Sequence, residues 1–484
     1  MSQSLGTKRL VAHTPRAGSD EWHDLEEHLR EVAKLAEQFA EPFGAGKMAH
    51  LAGLWHDLGK FNPEFQKYLI ACHEASRKKI TAPTKKIPHA IHGSSFAKKA
   101  NIQLLSPIIY GHHGGLPDRT FTDKLNQHDA QLSQEEIVKL ALLHLGSLQQ
   151  PEDPRRVLPN IKSKLEFEML QRMVFSCLVD ADFLDTEEHF EPDNLTLRNT
   201  ELSKVEKHQQ LINMWEQLEK NQEQLIAKAK PSIVNMVRTE VLNSCLEAGQ
   251  REPGVFRLLV PTGGGKTLSG LAFALQHAIK YKLERVIFAV PYTSIIEQTV
   301  NVYRSIFGVE AVLEHHSASS DKVFNEVDEA DEAKIRAKLA AQNWDAPLIV
   351  TTTVQLFESL FNNHPSKCRK LHNLSKAVIV LDEVQTLPVS LLQPIVDVLN
   401  ELASARYGSS IVLCTATQPA LETETRFFKG FSSGTVRDIV PREQSKQHFQ
   451  LLKRVDYQPR LEPILWNTLA KQIYDEGQVL VVLN

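Results

Sequence analysis

Between residues 22 and 190 the apolar positions recur at helical spacing. Leu25, Leu29, Val32, Ala36 and Phe39 form one stripe, and His28 falls on it. SQEEIVKLALLHLGSL and KLEFEMLQRMVFSCLVDADFL repeat that periodicity, and strand-like blocks are nearly absent. The pattern predicts an all-α domain over residues 1–200. Residues 201–235 are polar, rich in Gln, Glu and Lys, and predict a helical connector broken at Pro231. Beyond it the texture changes. VFRLLV, RVIFAV, PLIVTT, KAVIVLD and SSIVLCTA are short apolar runs separated by helical patterns, as in an open parallel sheet with helices on both faces. That α/β domain is expected over residues 236–445. The acidic stretch 319–344 interrupts the alternation and reads as a solvated surface helix.

Composition sets bounds. A chain of 484 residues exceeds one ordinary core. With 55 basic and 59 acidic residues the net charge is -4, so any nucleic-acid binding must come from local basic surface. The five cysteines are scattered and form no CxxC pair, which argues against a disulfide framework or zinc ribbon and fits a reducing cytoplasm. The first residues carry no apolar core of a signal peptide, and no apolar run has membrane-spanning length. A cytoplasmic protein without a membrane partner is expected.

The run VFRLLV leads into PTGGGKT (261–267) and then a helical pattern. A glycine-rich turn between strand and helix leaves backbone N–H groups aimed at one spot, where phosphates bind. Thr262, Gly263, Gly264, Gly265, Lys266 and Thr267 are the candidate ATP-binding residues, with Lys266 on the β- and γ-phosphates and Thr267 on Mg²⁺. The strict pattern places glycine at position 260, which is valine here. KAVIVLDEVQ sets Asp382 and Glu383 at a strand tip, the first to hold Mg²⁺ and the second to polarise the attacking water. PYTSIIEQ (291–298), VTTTVQLFESL (350–360) and CTATQP (414–419) follow the order of superfamily-two helicase motifs. In that family the first two grip the backbone of a single strand. The third links the ATP and nucleic-acid sites.

Thirteen of the 20 histidines lie in residues 1–190. His56-Asp57 ends an apolar helical run, His89 lies in KIPHAIHGSS, and His112-His113 sit among glycines in GHHGGLPD. A lone histidine on an apolar face is more often a satisfied core residue. Several imidazoles and carboxylates from separate helices instead suit a divalent metal. Asp180 and Asp182 lie in the apolar FSCLVDADF, where burial demands a partner. They stand about 200° apart on a helix, so both do not face one ion.

Through WHDLEEHLREVA, WHDLGKFNPEFQ and GHHGGLPD the chain resembles the CRISPR-associated nuclease-helicases of type I interference, supported by PTGGGKT, HHSASSD, RKLHN and DEVQTLP. The resemblance covers roughly residues 20–484, and DEVQ leans towards subtype I-C. It implies an HD-type metal-dependent nuclease domain followed by a RecA-like helicase lobe. Carried over, His28, His56, Asp57, His89, His112, His113 and Asp182 hold two divalent ions, drawn from Mn, Fe, Co, Ni or Mg. Asp182 is chosen because Asp182-Phe183-Leu184 matches the family's ending. Asp57 bridges the ions, and Lys60 faces the pocket to neutralise a phosphate. His23 and His92 are supporting residues. The substrate implied is single-stranded DNA, the partner an RNA-guided surveillance complex, the motor 3′-to-5′, and the state monomeric.

Two departures stand out. NMVRTEVLNSC lacks the glutamine expected to read adenine. EGQVLVVLN (476–484) looks like the opening strand of a second motor lobe, so residues 446–484 are expected to begin an incomplete lobe. The chain alone is then expected to bind ATP weakly without turnover or translocation, while the nuclease acts alone. Two other readings compete. An HD phosphohydrolase would attack nucleotides and spare DNA, and a non-catalytic adaptor would bind the complex while holding no metal.

Overall fold

The structure is a computed structural model. It describes residues 10–482 except 85–86, 119, 132–133, 199–201, 317–331, 418–420, 422–427, 433, 457–458 and 460. Residues 319–331 of the acidic stretch, most of HHSASSD and the last two residues of CTATQP lie outside the described residues, while the later part of the acidic stretch forms the helix Glu332–Asn343.

The first domain is helical, with a two-stranded antiparallel ribbon of β1 (Val11–His13) and β2 (His23–Asp24). Its helices are α1 (Leu25–Ala40), α2 (Gly46–Trp55), α3 (Pro63–Lys78), α4 (Ala90–Lys99), α5 (Leu105–Gly111), α6 (Phe121–Gln131), α7 (Gln134–Leu145), α8 (Lys164–Phe190) and α9 (Asp193–Leu197). The predicted stripe is the buried face of α1, with His28 fully enclosed. Asp24 caps α1 by accepting from the N–H groups of Glu26 and Glu27, which fixes where the helix starts.

In the second domain α10 (Lys204–Lys228) buries Leu211, Met214 and Leu218 in the same core as α12 (Lys266–Tyr281). The polar segment is thus half apolar underneath. α11 (Ile233–Gly249) and α13 (Thr293–Phe307) cover the same face. The sheet runs β5-β6-β4-β7-β8-β3-β9, every pair parallel, with β3 (Val255–Leu259), β4 (Arg285–Val290), β5 (Val312–His315), β6 (Leu348–Thr352), β7 (Ala377–Leu381), β8 (Ser410–Thr415) and β9 (Val436–Asp438).

Strand periodicity decides which core each residue joins. Ala377, Ile379 and Leu381 face the helical domain, whereas Val378 and Val380 face α10–α13. One apolar core therefore runs from the sheet through α8 into the metal-ligand helices. Parallel connections bring every strand's carboxyl end to one edge, where the nucleotide motifs collect.

The expected lobe over 446–484 is not tested by what the described residues show of its last segment. Residues 476–482 form no strand, and Leu480 and Val482 are exposed. A strand needs a neighbour for its ladder, and nothing pairs with this segment. The helix Trp466–Asp475 before it buries no residue. Among the described residues no helix is long and apolar enough to cross a membrane.

Candidate metal centre and nucleotide site

The centre forms where helix ends converge. His56 follows the last turn of α2, and Asp57 opens the short 3-10 turn Leu58–Phe61. His89 immediately precedes α4, and His112 follows α5. Gly59 allows the approach, because a Cβ there would stand 2.2 Å from the His89 carbonyl oxygen. α1 contributes His28 and α8 contributes Asp182.

The two oxygens of Asp57 face different ligand sets. Oδ2 lies 3.5 Å from His28 Nε2 and 3.4 Å from His56 Nε2. Oδ1 lies 3.5 Å from His89 Nε2 and 3.4 Å from His112 Nε2. His113 Nε2 meets His89 Nε2 at 2.9 Å. Asp182 Oδ1 stands 3.7 Å from both His28 Nε2 and His56 Nε2. Asp180 faces elsewhere, with Arg369 Nε at 2.8 Å. All seven sequence candidates for the metal thus meet in one place.

The other ring nitrogens fix how these imidazoles present themselves. His56 Nδ1–H donates to the Gly53 carbonyl and His112 Nδ1–H to the Ile109 carbonyl, both at 2.6 Å. A carbonyl only accepts, so each neutral ring must turn a bare Nε2 towards the carboxylate. His28 Nε2, His56 Nε2, His112 Nε2 and both Asp57 oxygens are buried without a hydrogen-bond partner. Lone pairs facing lone pairs in a dry site need positive charge between them, and cations between the two sides would satisfy every one. The donor set of imidazoles and carboxylates fits borderline divalent ions.

Electrostatics agree. Burial alone would raise the Asp57 carboxyl, but Lys60 and the His56 and His89 rings outweigh it and hold it well below the usual carboxylate range. Burial likewise opposes charging His56, yet the Asp57 and Asp182 carboxylates push it up to about 10, so without an ion a proton on Nε2 supplies the positive charge that a metal would replace. His89 and His113 are lowered to about 4 and about 3, mainly by desolvation of rings packed against their neighbours even though the His113 side chain opens to solvent, and stand ready as neutral ligands. Lys60 Nζ lies 2.6 Å from Asp57 Oδ2, off the hydrogen-bond direction, and donates to the Ala12 carbonyl at 3.1 Å.

Sequence reading missed Asp185 and His13. Asp185 Oδ2 holds His28 Nδ1 at 2.5 Å. His13 Nδ1 pairs with His23 Nδ1 at 3.0 Å beside Lys60. Asp185 lies three residues after Asp182 and so shares its helix face, the one available signal. His92 is buried on α4.

At the sheet edge, the phosphate loop joins β3 to α12, with Gly263 and Gly265 at positive φ. Val260 fills the second core instead of the loop. Lys266 Nζ donates to Glu383 Oε1 at 2.6 Å, and burial raises Asp382. Glu383 is left-handed at φ 47°, an unfavourable state for a side-chain residue. β8 lies between β3 and β7, which lets the Thr415 hydroxyl donate to Gln385 Oε1 at 2.7 Å. A cleft of about 1260 Å³ includes Thr262, Gly263, Gly265, Lys266, Thr267, Asp382 and Glu383. Gln222, Asn235 and Arg238 line its far wall, and Arg238 Nε donates to the Gly263 carbonyl at 3.0 Å. Gly264 lies in the loop between Gly263 and Gly265. Pro291–Gln298 and Val350–Leu360 leave the same edge through β4 and β6.

Known proteins agree with this layout. Residues 12–182 match the family described as Cas3, HD domain, and residues 214–425 match DEAD/DEAH box helicase. The CRISPR-associated nuclease/helicase Cas3 of Haloferax volcanii is 30% identical over 227 residues, 44% of this chain and 24% of that protein. The crystal structure of T. fusca Cas3-AMPPNP shares the fold at TM-score 0.52 and 17% identity, over 84% of this chain and 50% of that one. T. fusca Cas3-ATP gives 0.51 and 16%, over 84% and 49%. The chain spans about half the length of these structures and a quarter of the Haloferax protein. The chain thus joins a region matching the Cas3 HD domain to one matching the DEAD/DEAH box helicases, and in this arrangement it resembles the CRISPR-associated Cas3 nuclease/helicases.

Proposed function

We propose that this chain cleaves single-stranded DNA with two divalent ions held by the helical domain, and that the second domain is an ATP-dependent motor feeding strand to it. The observation that carries the reading is the convergence of unpartnered imidazole nitrogens on both oxygens of Asp57.

His28, His56 and Asp182 would hold one ion and His89, His112 and His113 the other, with Asp57 bridging. Bound ions of this kind activate water and stabilise the leaving oxygen of a phosphodiester. The protein's own part is orientation. Asp185 and the Gly53 and Ile109 carbonyls fix ring tautomers, and Lys60 keeps Asp57 ionised and adds positive charge for a phosphate. The partly exposed His89 and exposed His113 mark the side from which a strand would enter.

In the motor, the backbone N–H groups at 262–267 and Lys266 would receive the phosphates of ATP, and Thr267 and Asp382 the Mg²⁺. Glu383 would polarise the attacking water once nucleotide draws Lys266 away. Unwinding 3′ to 5′, recruitment by an RNA-guided surveillance complex, a cytoplasmic setting and a monomeric state complete the proposal.

The test is cleavage of circular single-stranded DNA by chelator-stripped protein, reloaded with Mn, Fe, Co, Ni or Mg and compared with Asp57→Ala. Ion-dependent cleavage lost in the variant is expected. Cleavage without divalent ions contradicts the proposal, as does phosphate release from nucleotides with the DNA left intact.

A further inference from the structure

We propose that the motor lobe positions the metal-binding loop of the helical domain, through Asn363. The inference rests on the metal reading above.

His112 and His113 lie in a turn closed by the Gly115 N–H, which donates to the Gly111 carbonyl at 2.7 Å. The next residue is clipped to the other domain in both directions. Leu116 N–H donates to the Asn363 carbonyl at 2.9 Å, and Asn363 Nδ2 donates to the Leu116 carbonyl at 3.0 Å. Gly115 is fitted to this clip: its φ is +102°, and a Cβ there would stand 2.8 Å from the Asn363 carbonyl oxygen. Beside Gly114 the space is open.

The same stretch of the motor lobe holds α8. Arg172 Nη1 donates to the Asn362 carbonyl at 2.8 Å, the His372 N–H donates to Ser176 Oγ at 3.0 Å, and Arg369 Nε donates to Asp180. Positions 172, 176 and 180 form one stripe of that helix. Both the histidine loop and the aspartate helix are therefore fixed by residues 362–372 of the motor lobe. Asn363 is a positioning residue. It touches no ligand atom and acts through the loop backbone, so losing its side-chain hydrogen bond should weaken metal binding by a few-fold to about tenfold.

The experiment titrates the metal-stripped full chain with Mn²⁺, reading free ion by electron paramagnetic resonance, alongside thermal unfolding without metal. Asn363→Ala and Gly115→Ala should each raise the half-saturating Mn²⁺ for one of two ions, Asn363→Ala by a few-fold to about tenfold because it removes only the side-chain half of the clip. Gly114→Ala should titrate like wild type. Asn363 is exposed, so its variant should melt with wild type, and it decides alone if Gly115→Ala melts early. Asn363→Ala titrating like wild type overturns the clip while leaving the metal reading intact. A wild-type chain that takes up neither Mn²⁺ nor Co²⁺ overturns the metal reading and the clip with it.

Discussion

Asp180 and Asp182 stand two residues apart on α8 and serve opposite sides of the molecule. Asp182 Oδ1 faces His28 and His56 at 3.7 Å, whereas Asp180 accepts from Arg369 at 2.8 Å and from Asn343 Nδ2 at 3.1 Å. One helix thus carries a carboxylate aimed at the candidate metal centre and another that bolts the two domains together.

Substitution separates the two roles. Asp180→Ala leaves the buried Arg369 guanidinium without its carboxylate, a loss expected to cost about 3–5 kcal/mol of stability. Asp182→Asn keeps the shape of the side chain and should leave the fold intact while weakening metal uptake. Denaturant unfolding and metal analysis of the two variants check this; equal stability loss in both would contradict it.

The nucleotide site should be separable from the metal centre. Lys266 donates to Glu383 at a strand tip of the second domain, whereas Asp57 sits in the helical domain beside Lys60 and the histidines. Lys266→Ala is expected to weaken binding of a fluorescent ATP analogue at least tenfold, roughly the 1.4 kcal/mol or more that a lost phosphate contact represents. Its metal content should equal that of wild type.

Acid should destabilise the metal-free protein through buried neutral histidines. Burial lowers His277 to about 4, helped by the Arg437 and Lys280 charges and opposed by the Nδ1–H bond to the Gly249 carbonyl, while Nε2 faces the Ser410 hydroxyl at 2.8 Å. The unfolded chain binds this proton near pH 6.5 and the native one only near 4, so stability is lost as pH falls through that window. The contribution is on the order of 3 kcal/mol. His277→Asn should flatten the slope of unfolding free energy between pH 6.5 and 4; an unchanged slope would contradict the assignment.

Much of the site was legible because its signals are local. His28 on an apolar stripe, the pair at 56–57 and the glycine-flanked pair at 112–113 are each visible within a few residues. The sheet was legible through its buried central strands. β5 and β9 were not, since VLEH and VRD are short and polar, and β9 docks through the Asp438–Arg257 ion pair at 2.7 Å. The ribbon of β1 and β2 is too short to show any alternation. Contacts such as Asp180 with Arg369 and Leu116 with Asn363 join residues some 190 to 250 positions apart, and no local pattern announces them.

The central claim is that distant helices deliver imidazoles and carboxylates to a shared pair of cations. Anomalous diffraction from crystals of the chain grown with Mn²⁺ tests it most directly. Two peaks are expected, about 4 Å apart, one on each side of the Asp57 carboxylate and bounded by His28, His56 and Asp182 on one flank and His89, His112 and His113 on the other. No peak within bonding distance of Asp57 in crystals that bind Mn²⁺ elsewhere would contradict it.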